Sequence, residues 1–107
     1  MKATILIVKR LPAAGMAIFP FILLKNQKLK QDWSIINHER IHLRQQLELF
    51  ILPFYILYLT NYLINLVRYK NHHTAYLNII FEKEAYRYDL DKEYLKNGNW
   101  YGWLKMI

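Results

Sequence analysis

Residues 49–67 contain no Asp, Glu, Lys or Arg. A stretch of that length has three outlets: a helix inside a core, a helix lying in a membrane interface, or a bilayer span, which takes about 20 apolar residues. Pro53, Thr60, Asn61 and Asn65 interrupt the apolar run. Tyr58, Asn61, Tyr62, Asn65 and Tyr69 recur at helical spacing and give one face a polar stripe. The pattern predicts a helix over 54–69, read as a core helix or an interfacial one ahead of a true span. Pro53 ends or kinks whatever helix precedes it.

That preceding helix holds the motif His38-Glu39-Arg40-Ile41-His42. Capped by Asp32 or Ser34, it is predicted to run to about residue 51. Positions i and i+4 share a helix face, so His38 and His42 can close on one ion, with Glu39 beside it. Two imidazoles on Zn²⁺ and a carboxylate that takes a proton from a polarised water make a hydrolytic centre. The bland alternative is a salt-bridged surface. The flanking Ile35, Ile36, Ile41 and Leu43 argue for a buried face instead. Ile35, His38, Ile41, His42, Gln45 and Leu49 are expected to point inward, with Arg40, Arg44 and Glu48 solvated.

With no cysteine in the chain, a third ligand must be His, Asp or Glu. A third helix, about 75–96, carries Glu82 and Glu84, which point about 200° apart, so only one of them can face the histidines. Ala85, Tyr86 and Asp89 fall on the face of Glu82, and a small residue there lets two helices approach. Glu82 is therefore the expected ligand and Glu84, on a face expected to be solvated, the reserve. His72 and His73 read as loop residues.

HExxH followed by a glutamate on a later helix resembles the gluzincin zinc peptidases, and the small size is similar to the minigluzincins. Glu82-Lys83-Glu84-Ala85-Tyr86 matches the family's glutamate and small residue, with Tyr86 where some members carry an Asp that orients a zinc-binding histidine. Tyr86 or Asp89 can substitute. The chain also resembles short uncharacterised proteins of the Bacteroidetes group. The resemblance implies a zincin-like domain, peptide-bond hydrolysis with Glu39 as general base, Zn²⁺ on His38, His42 and Glu82, a peptide or protein substrate, and an edge strand along which it lies extended.

Around these helices, 3–8 reads as a short strand and 17–25 as a better one, with Pro20 suiting an edge. Residues 19–24 are the expected substrate edge. The tail 100–107, with two tryptophans, must dock somewhere: on the apolar face of the 54–69 helix, or in the substrate cleft as a latency device. The whole of 1–107 is expected to be a single α+β domain, mainly α: a small N-terminal strand or hairpin region, three helices and an aromatic tail. The net charge of +7 favours anionic partners, a phospholipid surface, nucleic acid or acidic peptides, though a merely solvated basic surface is the plainer reading. With no long basic helix, no nucleic-acid partner is expected. Lys9-Arg10 cuts off the first apolar run, so no signal peptide is expected and the chain reads as cytoplasmic, able to lie at the periphery of the inner membrane. The rival function is a non-catalytic membrane-associated or protein-binding helical module.

Overall fold

The computed structural model describes residues 3–107. Its architecture is α+β and mainly helical, with a small N-terminal sheet followed by helices. Three short strands, β1 (Thr4–Ile7), β2 (Gly15–Ile18) and β3 (Phe21–Leu24), form a sheet of order β1-β3-β2. β3 is central, parallel to β1 and antiparallel to β2. The predicted 17–25 strand is therefore two strands. Pro20 lies in the turn between them, where its missing donor costs no ladder bond. The cleft-side edge is β2, not 19–24, because β3 is paired on both sides.

α1 (Trp33–Glu48) is the central element. Asp32 caps it by accepting from the backbone N–H groups of Ser34 and Ile35. Its apolar positions face two ways: Leu43 packs with Ile22 and Leu24 of the sheet, and Ile41 with Ala85 and Tyr94. Gln46 fastens α1 to β2. Its amide donates to Ala17 O and accepts from Phe19 N–H, both at 2.8 Å, as a backbone peptide of a neighbouring strand would.

α2 (Leu52–Tyr69) leaves α1 at a bend of 113°, through Phe50 and Ile51, both at positive φ. The predicted third helix is broken into α3 (His72–Leu77) and α4 (Ile80–Tyr88). Two asparagines cause the break. Asn78 turns its side chain back onto Thr74 O, closing α3, and Asn61 of α2 accepts from Ile80 N–H, opening α4. α4 stops at Tyr88 because Asn37 of α1 donates to the carbonyls of Asp89 and Asp91.

The tail makes one 3₁₀ turn (Gly102–Met106) and completes the core. Trp103 joins Phe54, Ile79 and Phe81, and its indole N–H donates to Glu48. Arg44 and Glu48, expected to be solvated, are buried beneath this tail. Arg44 donates to the carbonyls of Leu95, Gly98 and Asn99 and faces the rings of Tyr94 and Trp100; Glu48 accepts from Tyr101 N–H. The tail lines neither hollow beside the histidines, so the latency reading is set aside.

Candidate metal centre

α1 and α4 come together over Ala85, whose side chain is a single methyl and fully buried. Across that close approach, His38, His42 and Glu82 gather, all three buried. Glu82 Oε1 lies 3.1 Å from His38 Nε2 and 3.0 Å from His42 Nε2. One donor atom from each of the three residues lies within 4.8 Å of the other two. Tetrahedral ligands at about 2.0–2.2 Å from Zn²⁺ stand about 3.3–3.6 Å apart, so the two Glu82–imidazole separations lie within a few tenths of an ångström of ligand spacing.

The outer ring nitrogens explain why the inner ones converge. His38 Nδ1 faces Asp89 Oδ2 at 3.1 Å, and His42 Nδ1 faces Gln45 Oε1 at 2.7 Å. The Gln45 amide is itself oriented, donating to Phe81 O and Glu84 Oε1. Both partners offer acceptors, so with a metal bound each Nδ1–H would donate outward and each ring would turn a lone pair on Nε2 toward the ion. Three electron-rich atoms facing one point suit a bridging cation, whether a divalent metal or a proton. The residues present thus fit a divalent metal, with Asp89 and Gln45 orienting the rings. Asp89, one turn beyond Tyr86, takes the orienting position; Tyr86 packs edge-on against His38 instead, ring centroids 4.4 Å apart.

Without a metal, a proton fills the role. Burial works against a charged His42, but the Glu82 carboxylate and its hydrogen bond outweigh it and raise the imidazolium pKa to about 9. Burial likewise opposes ionisation of Glu82. The facing His42 charge and hydrogen bonds from His38, His42 and Tyr58 overcome it and hold the carboxyl well below its usual range. Glu39 behaves differently. Burial raises its pKa, with the histidines only partly opposing.

Glu84 points away from the histidines. It is buried rather than solvated, held by Gln45 and by the Tyr94 hydroxyl, because the chain after α4 folds over it. His72 is exposed and pairs with the Tyr62 hydroxyl.

A cleft of about 360 Å³ opens on the group, bordered by His38, Glu39, His42 and Glu82, by Gly15, Met16 and Ala17 of β2, and by Phe54, Tyr55 and Tyr58 of α2. A neighbouring hollow of about 270 Å³ shares Gly15, His38, Glu39 and Tyr76, so Glu39 borders both spaces. A Cβ at Gly15 would stand 3.1 Å from Glu39 Oε2, so a side chain there would make the carboxylate give by a few tenths of an ångström. Sequence reasoning did not single out Gly15, Tyr58 or Tyr76 for the site. For Tyr58 the signal was present in the polar stripe of its helix. Comparison of the chain with known protein families, curated proteins and solved structures finds no match.

Proposed function

We propose that the protein is a zinc-dependent metallopeptidase of gluzincin type, hydrolysing peptide bonds with Glu39 as general base. The observation that carries this reading is the convergence of His38 Nε2, His42 Nε2 and Glu82 Oε1 on one point, with Glu39 at the same cleft. Bound Zn²⁺ would supply Lewis acidity, polarising a carbonyl and making water acidic near neutral pH. Glu39, its pKa raised by burial, is tuned toward accepting a proton from that water and passing it to the leaving amine. Gly15 and Ala17 border the cleft on an edge strand, and alternation along β2 turns their backbone groups away from β3. Gln46 occupies Ala17 O, which leaves the Gly15 end of the strand to pair with an extended peptide.

The test is metal analysis of the purified protein beside a His38→Ala, His42→Ala double variant, followed by a peptide-hydrolysis assay of Glu39→Gln. The wild type should carry about one zinc per chain and the double variant essentially none. Glu39→Gln should keep its zinc and lose hydrolysis. Zinc-free wild type, or unchanged turnover in Glu39→Gln, would overturn the reading and favour a non-catalytic helical module.

A further inference from the structure

A helix on the surface of a water-soluble domain turns apolar residues to the core and polar ones to solvent. On α2 the inward face is aromatic and polar: Phe54 is buried, Tyr55 and Tyr62 pack against the core, Asn65 donates to Ala75 O, Asn61 accepts from Ile80 N–H, and Tyr58 donates to Glu82. The outward face is aliphatic apart from Thr60. Leu52, Ile56, Leu59, Leu63 and Val67, spaced by three or four residues, are each about half exposed or more, and Ile64 widens the stripe. Among the described residues nothing covers this arc.

We propose that this face of α2 seats the protein on an anionic phospholipid surface, lying parallel to it with the aliphatic arc sunk at the boundary between headgroups and acyl chains. Length decides against crossing. The 18 residues of α2 reach about 27 Å, short of a hydrocarbon core of about 30 Å, and the inner face is bound to the protein. Among the described residues, no single helix is long and apolar enough to cross a membrane.

Charge selects lipid over a second copy of the chain. The net charge is +7. The exposed acids are Asp32, Asp91 and Glu93, none of them on α2, while Arg68 and Lys70 stand exposed at the end of the arc. An anionic bilayer attracts such a surface, whereas a second copy repels it. The proposal is independent of the metal reading, and its test involves no peptide and no zinc.

The test is flotation with phosphatidylcholine vesicles, with and without phosphatidylglycerol. The wild type should float with the anionic vesicles, more weakly as salt is raised. The variant Ile56→Gln, Leu59→Gln, Leu63→Gln should lose at least about tenfold in partitioning, since each side chain gives up its apolar contact with lipid. The chain has no cysteine, so Leu59→Cys takes a single environment-sensitive fluorophore. Its emission should shift to the blue on anionic vesicles, a readout that survives if the triple variant fails to fold. Absence of flotation by the wild type, an unshifted label, or full partitioning of a folded triple variant would overturn the proposal. So would a lipid-free dimer that does not float and that the triple variant converts to monomer, which would assign the arc to self-association.

Discussion

Tyr58 donates its hydroxyl to Glu82 Oε2 at 2.5 Å, the carboxylate oxygen that does not meet the histidines. Burial, and then the Glu82 charge, push the phenol pKa up, so the hydroxyl remains a donor at any working pH. One carboxylate is thus held from both sides, by α2 through one oxygen and by α1 through the other. Tyr58→Phe removes the outer contact while keeping the ring that stacks beside Phe81. Zinc affinity, read by competition with a chelator, should fall by about 10–100-fold. Unchanged affinity would mean that Tyr58 has no part in positioning Glu82.

The metal-free protein should have a distinctive pH dependence. His42 is raised from 6.5 to about 9, so its contribution to stability is complete below about 6.5 and lost as pH rises through about 9. Glu82 is depressed from 4.5, so its contribution is present above that value and lost as pH falls below it. Thermal unfolding of chelator-treated protein should therefore show the largest contribution of this pair between about pH 4.5 and 6.5. Metal uptake near pH 7.5 displaces the His42 proton and should release about one proton, measurable by titration calorimetry in buffers of different ionisation enthalpy. Uptake without proton release would show that His42 is neutral in the metal-free state.

Two tryptophans near the C-terminus should behave differently. Trp103 is only 9% exposed and touches Phe81, with ring centroids 5.3 Å apart, whereas Trp100 is 59% exposed and lies over Arg44. Trp103→Ala should cost about 3–5 kcal/mol, and Trp100→Ala about 0.5–1 kcal/mol. Denaturant melts of the two variants check the ordering. Equal losses would mean that the tail packs otherwise than described. Truncation after Asn97 removes Trp103 and two partners of Glu48 and should unfold the protein rather than activate it.

The shared face of His38 and His42, with Glu39 beside it, was legible in the sequence from helical period, and the preference for Glu82 over Glu84 from the residues on its own helix face. So were the small Ala85 at the helix contact and the polar stripe on α2. Arg44, Glu48 and Glu84 were misread for a shared reason. Each has polar partners from the tail or the turn before it, and period on one helix says nothing of what a distant segment lays over it. The break between α3 and α4 was hidden similarly: Asn78 and Asn61 act through side-chain bonds to backbone, one across to another helix. The 54–69 helix packs one face into the core through Phe54, Tyr55, Tyr58 and Tyr62 and leaves an aliphatic face exposed, and period alone did not say which face turns inward.

Gln46 bears on a hazard of small open sheets. An exposed strand edge offers its peptide groups to any neighbouring chain, and edge-to-edge addition is a route to aggregation. By presenting a side-chain amide to Ala17 O and Phe19 N–H, Gln46 ends the ladder with an imitation of one more strand. Because that false strand is a single residue on α1, it cannot be copied onward to a further molecule. The blunting is local, stopping short of Gly15, so one end of β2 is sealed against other copies while the end beside the cleft keeps its hydrogen-bonding groups.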